Sequence, residues 1–157
     1  MEKILLIQSA EAMIKLGEFL GERARPGDLF FLSGELGAGK TTLVKGIAKG
    51  MKIESEITSP TFQLLKTYQG KYRLNHLDLY RLGSIAETEI LEPEELTENG
   101  VTVIEWGDVL KERLFNEYLE IVIDFSDTPD TRNVTLLPSG SRYRRLAEEL
   151  NHADFRS

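Results

Sequence analysis

The sequence predicts an α/β fold with a mixed central sheet, one that contains parallel and antiparallel strands. Short apolar runs alternate with longer stretches in which apolar residues recur at the spacing of a helix. One apolar run leads through a glycine-rich loop into an amphipathic stretch, and two pairs of strand-like segments are joined by turns. A chain of 157 residues is long enough to form one hydrophobic core and is short for two domains. We therefore expect a single domain over residues 1–157.

The chain opens with a predicted strand and a predicted helix. Lys3 to Gln8 has the composition of a strand, and Ser9 after it is the expected N-cap of the helix. Glu11 falls in the first turn, where a carboxylate suits the positive end of the helix dipole. The apolar side of the helix is formed by Met13, Leu16 and Leu20. The segment Arg25 to Asp28 contains proline and glycine and breaks the chain.

The next strand and helix enclose the glycine-rich loop. Leu29 to Leu32 is short and wholly apolar, which is typical of a strand covered on both faces. The helix after the loop is marked by Leu43, Val44, Ile47, Ala48 and Met51. Gly50, near the end of this pattern, is the expected C-terminal cap.

Two antiparallel hairpins are predicted in the second part of the chain. Phe62–Gln69 and Lys71–Leu77 have the pattern of strands, and Gly70 joins them. Tyr118–Phe125 and Asn133–Leu137 form the second pair, separated by a polar turn. These two pairs supply the antiparallel part of the predicted sheet.

The remaining segments are one strand, two helices and an acidic stretch. Val101–Trp106 is rich in β-formers and is predicted to be a strand. Asp108–Leu114 is predicted to be a short helix, and Ser141 is the expected cap of a final helix that ends near Asn151. Ser84–Glu98 is acidic and is predicted to be mostly helical or irregular.

Residues 34–41, GELGAGKT, fit the pattern G-x-x-x-x-G-K-[ST], between a strand and a helix as that pattern requires. Glycines allow successive N–H groups to turn inward around an anion, and the helix start adds its positive dipole end. Lys40 supplies charge for the β- and γ-phosphates, the Thr41 hydroxyl can bind Mg²⁺, and Thr42 can reach the α-phosphate. The candidate nucleotide-binding residues here are Gly37, Ala38, Gly39, Lys40, Thr41 and Thr42.

A P-loop enzyme also needs a carboxylate at a strand end, which holds Mg²⁺ or its waters and orients the attacking water. Two predicted strands end in acids, Asp78 and Glu105. The apolar run before Glu105 makes it the better match to a buried strand beside the loop. A solvated strand end is the alternative for each acid. The candidate catalytic residues are therefore Lys40, Asp78 and Glu105, and the candidate metal ligands are Thr41, Glu105 and Asp78.

Two further features have competing interpretations. The segment Ser59 to Phe62, SPTF, is either a γ-phosphate sensor or a plain turn into the hairpin. His76 is one of two histidines, and without cysteines nearby a hydrogen-bonded strand histidine is favoured over a zinc ligand.

Composition excludes several classes of function. The chain has no cysteine, which excludes disulfides, thiolate metal sites and cysteine nucleophiles. No apolar run approaches the ~20 residues of a membrane helix, and we expect a cytoplasmic protein. The net charge of −7 argues against extensive direct contact with a nucleic-acid backbone.

Four motifs together resemble the TsaE (YjeE) family: GELGAGKTT at 34–42, SPTF at 59–62, HLDLYRL at 76–82 and IEWGD at 104–108. This is the family of small bacterial ATPases in tRNA threonylcarbamoyladenosine biosynthesis. The resemblance spans nearly the whole chain and implies a P-loop NTPase-like three-layer sandwich with a mixed sheet. It implies ATP and Mg²⁺ as ligands, and hydrolysis in support of TsaB and TsaD, which modify the adenosine beside the anticodon. The tRNA would be contacted mainly through that complex.

The resemblance also implies roles for residues at matching motif positions. Lys40, Thr41 and Thr42 would bind the nucleotide phosphates and Mg²⁺. Glu105 would be the acid of the Mg²⁺ site, and Asp78 a second acid for metal or water.

Further positions follow from the same resemblance. Thr61 would belong to a switch-like segment near the γ-phosphate, and Trp106 would lie beside the site. The start of the first helix would lie near the adenine, at Ser9, Ala10 and Glu11. The sequence departs from the familiar IEWPE form because Gly107 and Asp108 follow Trp106. This departure leaves the geometry of that loop, and any role for its acid, open.

Two other functions use the same loop. A small P-loop kinase would phosphorylate a small molecule, but it normally carries an arginine-rich lid, which the sequence lacks. A non-catalytic, nucleotide-gated assembly factor would bind ATP only to hold a conformation. No arginine in the sequence is clearly placed to stabilise transition-state charge, so hydrolysis by the chain alone is expected to be slow.

Overall fold

The computed structural model describes residues 2–35, 37–58, 65–78, 98, 100–105 and 117–150. Several predicted features lie outside these residues: the helix at Asp108–Leu114, nearly all of the acidic stretch Ser84–Glu98, and the SPTF segment with Thr61. Trp106 also lies outside them. The bounds of the described elements are β1 Lys3–Ile7, α1 Ala10–Arg23, β2 Leu29–Ser33, α2 Lys40–Gly50, β3 Leu65–Gln69, β4 Arg73–Asp78, β5 Val101–Glu105, β6 Tyr118–Phe125, β7 Arg132–Ser139 and α3 Ser141–Glu149.

The described strands form one mixed sheet in the order β1-β7-β6-β2-β5-β4-β3. The central strand β2 runs parallel to β5 on one side and to β6 on the other, and β4 runs parallel to β5. The pairs β3–β4 and β6–β7 are antiparallel, which confirms both predicted hairpins. A third antiparallel pair, β1–β7, was not predicted. The predicted α/β class with a mixed sheet is confirmed.

The sheet core follows the apolar pattern of the sequence. The first four residues of β2, Leu29 to Leu32, are buried, as expected for a strand covered on both faces. Phe30 and Leu32 belong to the same core cluster as Leu16 of α1 and Leu43 of α2. These contacts fix the two helices against the strand that leads into the glycine-rich loop. In the described part of the chain, no helix is long and apolar enough to span a membrane.

The helices α1 and α2 lie backbone against backbone through four glycines. Gly17 and Gly21 of α1 face Gly46 and Gly50 of α2. A Cβ atom added at Gly46 would lie 2.3 Å from the Ile14 carbonyl oxygen, and one at Gly21 would lie 2.1 Å from that of Ile47. Neither position has room for a side chain, so this close approach requires glycine.

Two predicted helix caps were wrong. Gly50 is the last residue of α2 and serves the helix–helix contact, because an added Cβ would lie 2.4 Å from the Glu18 carbonyl oxygen. The C-cap is Met51, and the residue with positive φ after the helix is Lys52, at 64°. At α3 the N-cap is Gly140, with φ of 107° and no side-chain cap. Ser9, in contrast, caps α1 as predicted by accepting a 3.0 Å hydrogen bond from the Ala12 N–H.

Candidate nucleotide-binding site

The glycine-rich loop connects the end of β2 to the start of α2. The loop contains three glycines, Gly34, Gly37 and Gly39, and their φ values are 150°, 83° and 121°. This region of backbone conformation favours glycine, so the sequence pattern has a direct structural reason. A Cβ built at Gly37 would meet no atom of the described residues within 4 Å. The loop and the start of α2 therefore offer backbone N–H groups to an anion.

Lys40 is the first residue of α2 and is only 6% exposed. Its ammonium group donates a hydrogen bond to the carbonyl oxygen of Gly34, at the other end of the loop. Burial lowers the pKa of Lys40 below its ordinary value, while the nearby carboxylates of Glu105 and Asp78 act in the opposite direction. The three groups predicted to be catalytic thus lie close enough to interact electrostatically.

The two candidate acids end neighbouring parallel strands. Asp78 closes β4, Glu105 closes β5, and their Cα atoms are direct partners across the two strands. Glu105 is also the partner of Leu32, which lies one residue before the last residue of β2. Glu105 is buried, with 3% exposure, and Asp78 is half-buried. Of the two acids, Glu105 therefore lies on the strand next to the one that leads into the loop.

These oxygen donors suit Mg²⁺. A magnesium ion binds hard oxygen ligands and usually takes one or two protein carboxylates together with waters and substrate phosphates. The half-buried Thr41 hydroxyl and the Asp78 and Glu105 carboxylates fit that description. The part of the chain that the structure describes has no group of three or more His, Asp or Glu side chains that could hold a metal alone. This donor set is compatible with a metal that is held jointly by protein and nucleotide.

The start of α1 lies close to the loop. The terminal methyl carbon of Met13 is 3.4 Å from the position that a Gly39 Cβ would occupy. Ser9 is half-buried at the N-cap, and Ala10 and Glu11 are exposed at the beginning of the helix. The proximity of this helix end to the loop is compatible with the expected adenine position, which remains a prediction.

Arg132 is a residue of this site that sequence reasoning missed. It is the first residue of β7, and its Nε donates a 2.9 Å hydrogen bond to the carbonyl oxygen of Ala38 in the loop. Its Nη1 donates to the carbonyl oxygens of Pro129 and Thr131, at 2.6 and 2.9 Å. Its guanidinium lies 4.7 Å from the centre of the Phe125 ring. Arg132 therefore ties the glycine-rich loop to the turn between β6 and β7.

Removing this tie is expected to loosen the loop. The variant Arg132→Ala should bind ATP roughly 5-fold more weakly, the equivalent of about one hydrogen bond, because the Ala38 peptide is then less well oriented. Isothermal titration calorimetry measures the affinity. Arg144→Ala, at an exposed position of α3, serves as the control and should bind as the wild type does. Equal affinities of the wild type and Arg132→Ala would contradict a role for the contact.

Comparison with known proteins identifies the family. A family model described as "Threonylcarbamoyl adenosine biosynthesis protein TsaE" matches residues 7–134. The TsaE protein of Bacillus subtilis is 42% identical over 132 residues, which cover 83% of this chain and 82% of the relative. That of Streptomyces coelicolor is 40% identical over 138 residues, covering 83% and 93%.

A solved structure agrees with these sequence matches. The crystal structure of Bacillus subtilis YdiB superposes with a TM-score of 0.77 at 34% identity, and the match covers 96% of this chain and 95% of that one. The sequence and structural similarities extend over most of both chains. The chain therefore belongs to the TsaE family of tRNA threonylcarbamoyladenosine biosynthesis proteins.

Proposed function

We propose that this chain is the Mg²⁺-dependent ATP-binding and ATP-hydrolysing subunit that supports TsaB and TsaD in threonylcarbamoylation of tRNA, in the cytoplasm. The observation that carries the proposal is that Lys40, Asp78 and Glu105 lie together at the edge of the sheet where β2 leads into the loop. The relatives are named for tRNA threonylcarbamoyladenosine biosynthesis, and these names support the part of the proposal that concerns tRNA modification.

The proposed mechanism begins with phosphate binding. The N–H groups of Gly37 and Gly39 bind the phosphates. The Ala38 N–H and the Lys40 ammonium, which donate to the carbonyl oxygens of Glu35 and Gly34, exchange these acceptors for phosphate oxygens. The exchange is favourable because a hydrogen bond to a charged oxygen is stronger than one to a peptide carbonyl. Thr41 and Thr42, in the first turn of α2, complete the phosphate contacts.

The acids act on the hydrolytic step. Bound Mg²⁺ would neutralise charge that develops on the β- and γ-phosphates. Glu105 would hold the metal or its waters, and Asp78, opposite it on β4, would orient the attacking water. Thr61 and Trp106 are proposed to complete the site on the strength of the family motifs alone. The tRNA would bind mainly to the partners, since this chain has a net charge of −7.

Steady-state ATP turnover tests the proposal, measured on the purified chain alone and then with TsaB and TsaD from the same source. We expect Mg²⁺-dependent release of inorganic phosphate that is slow for the chain alone and strongly accelerated by the partners. Unchanged turnover together with transfer of the γ-phosphate to a small molecule would favour the kinase instead. ATP binding without turnover under every condition would favour the non-catalytic assembly factor.

A further inference from the structure

A buried histidine lies directly behind the candidate metal-site acid. His76 is in β4 and has no exposed surface. Its Nε2 lies 2.5 Å from Oε2 of Glu105, an acid that is itself 3% exposed. The pair is therefore shielded from water. In the protein interior a hydrogen bond is electrostatically stronger than at the surface.

The strand register explains why these two side chains meet. The Cα partner of His76 across β4 and β5 is Val103, and the partner of Asp78 is Glu105. Residues 76 and 78 lie on one face of the sheet, together with 103 and 105. His76 is thus the diagonal neighbour of Glu105, one pleat further from the strand end. The contact is built into the pairing of two strands rather than into a loop.

Hydrogen-bond chemistry fixes the direction of this contact. An ionised carboxylate only accepts hydrogen bonds, so the proton between the two groups belongs to Nε2. The other ring nitrogen, Nδ1, is buried and has no hydrogen-bond partner within the described ranges. A proton on Nδ1 would be a buried donor without an acceptor. The arrangement therefore places the donated proton on Nε2.

We propose that His76 is a positioning residue for Glu105. Its Nε2–H holds Oε2 of the carboxylate and leaves Oε1 available to Mg²⁺ or to one of its waters. Without this contact the carboxylate can rotate about its last side-chain bonds, so the metal finds its ligand in the productive orientation less often. The inference rests on the proposed function, because it requires that Glu105 act at the Mg²⁺ site.

Two amide variants distinguish the effect of the hydrogen bond to Glu105 from the effect of side-chain size. The side-chain amide nitrogen of His76→Gln can occupy the place of Nε2, whereas the shorter amide of His76→Asn cannot reach it. Mg²⁺ is expected to tighten ATP binding, and the measured quantity is the Mg²⁺ concentration that gives half of this effect. We expect His76→Asn to raise that concentration by about 10- to 100-fold. His76→Gln should restore it to within a few-fold of the wild type. ATP binding without Mg²⁺ should be unchanged in both variants.

The control variants identify which idea fails. Thr102→Val alters the hydrogen bond from the Asn75 amide on the opposite face of the same two strands, and it should keep the wild-type Mg²⁺ dependence. Glu105→Gln should lose most of that dependence. If Glu105→Gln loses the Mg²⁺ dependence of ATP binding and His76→Asn keeps it, the positioning role of His76 is wrong and the proposed function stands. If Glu105→Gln keeps it, the metal role of Glu105 in the proposed function is wrong.

A measurement on the unaltered ring covers the case in which a buried substitution prevents folding. The chain has two histidines, so ¹⁵N-histidine labelling gives two sets of ring signals, and His152→Ala identifies that of His76. We expect one tautomer with the proton on Nε2, and a shift of its signal in Glu105→Gln. A proton on Nδ1, or a mixture of both tautomers, would overturn the proposal.

Discussion

Replacing Lys40 with methionine is expected to weaken ATP binding by about 10- to 100-fold. A hydrogen bond between charged groups contributes about 1.5–3 kcal/mol, and each 1.4 kcal/mol changes the affinity tenfold. Lys40 is nearly buried at the end of the loop, and its ammonium brings a positive charge to the place proposed for the phosphates. Methionine keeps the apolar stem of the side chain and removes the charge alone.

Calorimetric titration with ATP measures this effect. Lys45→Met is a matched control, because Lys45 lies on the same helix and is exposed. It should bind ATP within about 2-fold of the wild type, since an exposed substitution of this kind changes energies by under about 0.5 kcal/mol. Full binding and turnover in Lys40→Met would contradict the assignment of the loop as a nucleotide site.

Replacing Gly46 with alanine is expected to destabilise the protein by about 1–3 kcal/mol, although helix propensity alone predicts the opposite. In an uncrowded helix, alanine is more favourable than glycine by about 1 kcal/mol. Here the added methyl group would lie 2.3 Å from the Ile14 carbonyl oxygen and 2.9 Å from the Gly17 Cα. The two helices would have to separate, and overpacking of this kind usually costs 1–3 kcal/mol.

Urea denaturation followed by circular dichroism measures the free energy of unfolding. The control is Lys45→Ala, one residue earlier in α2 and exposed, which should be neutral or slightly stabilising. Because α2 begins with Lys40 and Thr41, the Gly46 variant should also bind ATP more weakly at temperatures where it remains folded. A Gly46→Ala protein as stable as the wild type would show that the helices are not in backbone contact.

Local patterns were sufficient to predict the helices and strands that the structure describes, and the loop. The apolar run Leu29–Leu32 predicted a doubly covered strand, and the glycines of GELGAGKT predicted a backbone that only glycine adopts easily. Asp78 and Glu105 were predicted from their positions at strand ends, and the parallel pairing of β4 and β5 brings them together. Each of these features depends on residues close to one another in sequence, or on one simple strand pairing.

Contacts between distant segments could not be predicted in this way. Arg132 reaches the loop because β6 lies beside β2 and β7 begins where β6 ends, and no short motif encodes the pairing of β2 with β6. Gly50 has the position of a cap in the sequence, but it is required by the approach of α1. His76 was expected to be hydrogen-bonded within a strand, which is confirmed, but its partner depends on the register between β4 and β5.

The proposed role of Glu105 is tested most directly by measuring ATP affinity and single-turnover hydrolysis on the same preparation of Glu105→Gln, with TsaB and TsaD present. Glutamine keeps the size of the side chain and an acceptor for His76 but lacks the charge. We predict that ATP measured without Mg²⁺ binds within a few-fold of the wild-type affinity, while Mg²⁺-dependent hydrolysis falls at least about 100-fold. Equal and large losses of binding and hydrolysis, or wild-type hydrolysis, would contradict the assignment of Glu105 as the acid of an ATP-hydrolysing site.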